Sequence, residues 1–187
     1  MVSFEEKLLV KKAVLGDVEA FEKLVSVEER KFFSFALSIS GGNRSVAEDI
    51  YQEAITKAFL NIKKFSAKSS FSTWLWKIIR NAYFDYLKAE KKWSGIHVDD
   101  VEGFEQSNDD DADMELIKED RAAMIRKLIS ELPVLYVEAI TLVDLQEMDH
   151  DDAAKLVGVD KNLLKVRLHR ARIKLHKLIE ENKKYFD

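Results

Sequence analysis

Two stretches combine residue types and spacings that suit work on a polyanion. The first is Ser69–Lys92, SSFSTWLWKIIRNAYFDYLKAEKK. Wound at about 100° per residue, it puts Phe71, Leu75, Ile78, Ala82, Tyr86 and Ala89 on one apolar stripe. The opposite side carries Trp76, Arg80, Tyr83, Phe84, Leu87 and Lys91, with Lys77 and Lys88 on its flank. Cations interleaved with aromatics suit single-stranded nucleic acid: phosphates need positive charge and unstacked bases need flat surfaces. A helix packed on both sides inside a bundle carries the same pattern, and from this stretch alone that is the simpler reading. The second stretch, Lys161–Lys177, holds seven Lys/Arg and no acid. Leu164, Leu168, Ala171, Leu175, Leu178 and Ile179 would form its core stripe, leaving Lys165, Val166, His169, Arg170 and Ile173 outward. Lys and Arg can contact guanine in a major groove, and Val a thymine methyl. A solvated basic face on the last helix of a bundle is the alternative.

Nothing in the chain has the spacing of an active site. His169 and His176 are two helical turns apart, and His97 and His150 lie in other segments. There is no Gly-rich phosphate loop and no nucleophile–His–acid set. The chain has no cysteine, which excludes disulfides and Cys-ligated zinc. The expectation is a protein that is not an enzyme and needs neither metal nor cofactor.

The elements that position these stretches read as helices. Only one Pro and six Gly interrupt 187 residues, and no segment alternates like a strand. Phe4–Leu15 reads as a short helix closed by Gly16. Asp17 then caps a helix running through Phe21, Leu24, Phe32, Phe33 and Leu37 to about Ser40. After Gly41-Gly42-Asn43, Ser45 and Glu48 have capping-box spacing for a helix to about Lys64, with Ile50, Ala54, Ala58 and Ile62 inside. Residues 65–70 form a polar loop before the aromatic helix.

Ser94–Asp113, with its acidic run Asp109–Asp111, reads as a flexible linker. Charge is distributed to match. Residues 1–93 hold 16 bases and 12 acids, residues 94–120 one base and 11 acids, and residues 121–187 13 bases and 11 acids. Two mildly basic lobes therefore flank one acidic segment, although the net charge is −4. From near Met114 a helix runs to just before Leu132-Pro133, Pro133 opens a second that ends near Leu145, Asp149 caps a short one ended by Gly158, and Asp160 caps the last. Short helix, glycine turn and longer helix make a helix-turn-helix, whose second helix enters a major groove. The fold expected is all-α: a four-helix unit in 1–93, an acidic linker in 94–113 and a helix-turn-helix unit in 114–187. The N-terminus lacks a signal-peptide core and no run has membrane-span length, so cytoplasmic residence without membrane insertion is expected.

Taken together, the two lobes are more specific than either alone. Ala47-Glu48-Asp49-Ile50-Tyr51-Gln52-Glu53, Lys57-Ala58-Phe59, Ser70-Phe71-Ser72-Thr73-Trp74-Leu75, Ile78 and Arg80-Asn81 resemble region 2 of bacterial RNA polymerase sigma factors of the sigma-70 family, extracytoplasmic-function (group IV) class. Leu132-Pro133, Ala154, Val157-Gly158-Val159, Lys165 and Arg167-Leu168-His169-Arg170-Ala171-Arg172 resemble region 4 of the same class. The resemblance implies a promoter-specificity subunit that binds core RNA polymerase, with the β′ clamp helices and the β flap as docking sites. It implies core-binding roles for Asp49, Gln52 and Glu53. For the −10 element, held as a single strand with a flipped base, it points to Phe65, Ser66, Lys68, Ser69, Ser70 and Asn81; Trp76 and Arg80 join that set from the cationic–aromatic face. For the −35 duplex the candidates are Lys161, Lys165, Val166, His169 and Arg170. An anti-sigma partner is implied by the family alone.

The chain departs from the family pattern in places. Asn162-Leu163 stands where the family has Gly-Thr, Val166 where it often has Ser, Ala153 where it has a larger aliphatic residue, and Ile55 where it often has Phe. Two other readings compete: a stand-alone helix-turn-helix regulator with a sensing lobe, and a helical hydrolase with metal on the acidic linker. The first is disfavoured by the Gln52-Glu53 and Phe71–Leu75 matches, the second by linker carboxylates without helical spacing.

Overall fold

A computed structural model describes residues 3–67, 69–94 and 121–183. All regular structure among them is helical. The first unit comprises α1 (Phe4–Val14), α2 (Val18–Ser26), α3 (Glu29–Ile39), α4 (Arg44–Asn61), a 3-10 turn at Ile62–Lys64, and α5 (Phe71–Ser94). The second comprises α6 (Arg121–Ser130), α7 (Val134–Ile140) continuing through a π turn at Thr141–Leu145, α8 (His150–Val157) and α9 (Lys161–Glu181). The acidic segment between the units lies outside the described residues.

Most helix starts follow local chemistry. The free N–H groups of a first turn need acceptors, and short polar side chains supply them. Asp17 accepts from the Ala20 N–H at 3.0 Å, Asp149 from Asp151 at 2.7 Å, and Asp160 from both Asn162 and Leu163 at 2.8 and 2.9 Å. The start of α4 differs from the expected capping box. Asn43 is the cap, accepting from the Val46 N–H at 3.1 Å, which places Ser45 inside the first turn. Glu48 instead pairs with Arg44 at 2.8 Å. Gly41 and Gly42, at φ +67° and +83°, bend the chain tightly enough to bring Asn43 into the cap position.

The helix expected from Asp17 to Ser40 is two helices, broken at Val27-Glu28. Buried Val25 and Phe32 are seven residues apart, so the apolar stripe crosses the break in phase. Ser26 donates its hydroxyl to the Lys23 carbonyl at 3.0 Å, a local bond that competes with helix continuation.

In the first unit, Ala47, Ala54 and Ala58 are fully buried on α4 and let α5 approach closely. Trp76 is the aromatic centre, with Phe32 and Phe35 edge-on at ring-centroid distances of 5.4 and 5.0 Å. Such pairs add about 0.5–1.5 kcal/mol beyond area burial. The buried arc of α5 is wider than the expected stripe. It includes Trp76, Ile79 and Tyr83, while Ile78 and Tyr86 are only half-buried and Ala89 is exposed. Contact with α3 and α4 together packs two sides of α5.

In the second unit, Ala153, Ala154, Leu156 and Val157 of α8 pack with Leu164, Leu168 and Ala171 of α9. Ala153, small for its position, is completely buried. Gly158 ends α8 in the left-handed region at φ +76°, where its N–H and that of Val159 both reach the Ala154 carbonyl, at 2.9 and 3.0 Å. This turn sets α9 at its angle to α8. The two units also touch: α3 meets α6 and α7, and α5 meets α8.

Candidate polymerase and nucleic-acid interface

Along α4 the buried residues Ala47, Ile50, Ala54 and Ala58 leave Asp49, Gln52 and Glu53 exposed on the other side. Glu53 accepts a 2.7 Å ion pair from Lys57, which also reaches Asp85 of α5 at 3.3 Å. Next to them, the Tyr86 phenol is pushed up to about 12 by burial first, with the Glu90 and Asp49 carboxylates adding to it. This end of the unit thus presents an acidic and amide face.

The loop before α5 is less open than the sequence suggests. Phe65 leans on Phe71 and Trp74, with centroids at 6.2 and 5.3 Å, and belongs to the core margin. Ser66 is exposed, and Ala67 sits in the left-handed region at φ +53°. Lys68 lies outside the described residues. Ser69 is half-buried, and Ser70 is occupied as a helix cap, accepting from the Thr73 N–H at 3.1 Å and sharing a 2.8 Å bond with its hydroxyl. Glu6 of α1 accepts the Phe71 N–H at 2.7 Å and so closes the start of α5 from 65 residues away.

Trp76 requires correction. Its side chain is 2% exposed between Phe32 and Phe35, so it is core and offers no face to a base. Tyr83 is equally buried. Arg80 is also occupied in this arrangement. Its Nε and Nη2 donate to the two carboxylate oxygens of Glu138 on α7, at 2.6 and 3.3 Å, and its guanidinium lies 4.5 Å from the Phe84 ring. Glu138 is 1% exposed. Burial pushes its pKa up, and the Arg80 and Arg167 charges only partly oppose this. Asn81 remains exposed, in an open concavity shared with Arg80, Phe84, Asp85 and Lys88. Sequence reasoning missed Glu138. A lone acid in the apolar run Val134–Val143 was its available signal.

On α9, Lys161, Lys165, Val166, His169 and Arg170 are all exposed, opposite Leu164, Leu168 and Ala171. Intramolecular partners sort the cations. Lys161 pairs with Asp151 of α8 at 2.7 Å, an exposed pair whose hydrogen bond holds the Asp151 carboxyl below its usual range. Arg172 grips Asp144 through two bonds of 2.9 and 2.6 Å, and Lys174 lies 5.7 Å from the Tyr136 ring. Lys165 and Arg170 enter no ion pair among the described residues. Both are thus left for an external anion on the outer side of a helix-turn-helix.

Residues 24–93 match the family model for Sigma-70 region 2, and residues 122–175 that for Sigma-70, region 4. The ECF RNA polymerase sigma factor SigM of Bacillus subtilis is 32% identical over 148 residues, covering 78% of this chain and 86% of that protein. The chain belongs to the sigma-70 family, in its ECF class. SigW of the same bacterium, another ECF RNA polymerase sigma factor, is 28% identical over 182 residues, covering 94% of this chain and 97% of the relative. The fold matches CnrH, solved with the cytosolic domain of CnrY, at a TM-score of 0.67 and 20% identity over 95% of this chain and 98% of that one. It also matches RpoE of Bartonella quintana, solved with the anti-sigma factor NepR, at 0.66 and 23% over 86% and 96%. The sigma factor is a promoter-recognising subunit of RNA polymerase and not itself an enzyme.

Proposed function

We propose that this sigma factor divides its work among three surfaces. Asp49, Gln52 and Glu53 on α4 dock on core polymerase at the β′ clamp helices. Ser66, Lys68, Ser69 and Asn81 meet the single-stranded −10 element, with Phe65 and Ser70 bracing the loop. Lys165, Val166, His169 and Arg170 on α9, with Lys161 at the rim, meet the −35 duplex, while the second unit engages the β flap. The functional divisions are 1–93, 94–113 and 114–187. The observation that carries the reading is the outer face of α9, where Lys165 and Arg170 stand without ion pairs among the described residues, on the element a helix-turn-helix lays in the major groove.

Asn81 supplies an amide for hydrogen bonding a flipped base, which offsets part of the few kcal/mol that unstacking costs. Arg80 joins the −10 surface only when its bond to Glu138 opens. An anti-sigma partner is proposed from family membership, without a surface of this chain assigned to it. No described helix is long and apolar enough to cross a membrane, and we place the protein in the cytoplasm with the polymerase.

Variant pairs separate the surfaces. Lys165→Ala and Arg170→Ala should weaken binding of −35 duplex and flatten its salt dependence, since each removes about one phosphate or guanine contact. Both should leave affinity for core polymerase intact. Gln52→Ala with Asp49→Ala should do the reverse. Equal loss of both functions in either set would contradict the division.

A further inference from the structure

Val166 occupies the centre of the outer face of α9, about 160° or more around the helix from Leu164, Leu168 and Leu175. It is 44% exposed, with Leu163 beside it at 38% and Ile173 two turns on at 57%. Water favours none of these at the middle of a solvated face, and β-branched residues are poorer helix formers than the Lys, Arg or Glu such a position usually holds. The apolar centre is rimmed by Lys165, His169 and Arg170, a pattern that fits an anionic partner with a small apolar feature. Base edges in a major groove offer one such feature, the C5 methyl of thymine; the other groups there are hydrogen-bond donors or acceptors. A valine against a purine or cytosine edge would desolvate those groups without replacing their bonds.

Resting on the assignment of α9 to the −35 duplex, we infer that Val166 is a specificity-determining residue that packs on a thymine methyl within that element. Asp160 caps the helix six residues earlier, so Val166 sits in the N-terminal half that meets base edges. Ile173 lies about 10 Å further along the axis and marks the part of the face beyond the bases.

The test uses the full chain bound to core polymerase and a promoter selected from a randomised library. Each thymine of the upstream element is replaced singly by deoxyuridine, which removes only the methyl. One replacement should weaken binding of the unaltered chain about fourfold, the worth of one buried methyl. Val166→Ala should bind the thymine and deoxyuridine versions alike, whereas Ile173→Ala should keep the full discrimination. Unchanged thermal unfolding of Val166→Ala checks that the exposed site is not structural. Deoxyuridine without effect at every position overturns the inference, and so does an effect that persists in Val166→Ala. If Lys165→Ala and Arg170→Ala also leave duplex binding untouched, the −35 assignment itself fails. Retained sensitivity to those two variants confines the failure to Val166.

Discussion

Single side chains show how far type and spacing reach. The cation–aromatic face of α5 has two explanations in sequence, and burial decides between them residue by residue. Trp76 and Tyr83 are core, Arg80, Phe84 and Leu87 are half-buried, and Lys77 and Lys88 on the flank face solvent, as does nearby Asn81. Periodicity could not separate these cases because α5 is packed by both α3 and α4, and a two-sided helix has no single apolar stripe. Trp76→Ala should therefore lower stability by about 3–5 kcal/mol, as large core truncations do. Chemical denaturation reads this. Once the variant is held below its unfolding temperature, −10 strand binding should follow the folded fraction alone; a specific loss of strand affinity at full folding would restore Trp76 to the DNA surface.

Elements were legible where a polar cap or a left-handed glycine announced them. Asp17, Asp149, Asp160 and Gly158 each mark a boundary found in the structure. The break between α2 and α3 was not, because Val25 and Phe32 stay in phase across it. The capping box at Ser45 lost to Asn43, two residues earlier, an equally competent cap that the glycine turn delivers into place. Ser70 acts locally as well: its hydroxyl serves the start of α5. At this scale Asp160 matters most, since it holds two N–H groups of the turn that carries Leu163 and leads into Lys165. Asp160→Ala should cost about 0.5–2 kcal/mol. It should also weaken −35 duplex binding more than core binding, as the first turn of α9 frays. Thermal unfolding and duplex titration check the two halves separately.

For the whole molecule, the surfaces are not independent. The Arg80–Glu138 pair joins α5 to α7 through the unit boundary, and its carboxylate is buried to 1% exposure. Removing one partner of a buried pair leaves a charge without compensation, at a cost on the order of 3 kcal/mol. Arg80→Ala should thus loosen the contact between the units, seen as a larger radius of gyration in solution scattering. The pH dependence follows in sign. Glu138 has its folded pKa raised above the ordinary 4.5. Its contribution is therefore fullest below that ordinary value and is lost as pH rises through the raised one. The deficit of Arg80→Ala should shrink in acid, where Glu138 takes up a proton and no longer needs the guanidinium. An expansion as large in acid as at neutral pH would show that the unpaired Glu138 charge does not drive the units apart.

The two-unit plan, the helix-turn-helix and the family were readable from motif order along the chain. The contact between units was not, because no sequence spacing links residue 80 to residue 138. The claim on which all else depends is that this chain directs core polymerase to promoters. Run-off transcription with bacterial core polymerase and a randomised promoter library tests it most directly. Initiation that requires the chain, from sites sharing two spaced elements, is the result expected. Core that stays silent, or starts at the same sites with and without the chain, would contradict the account.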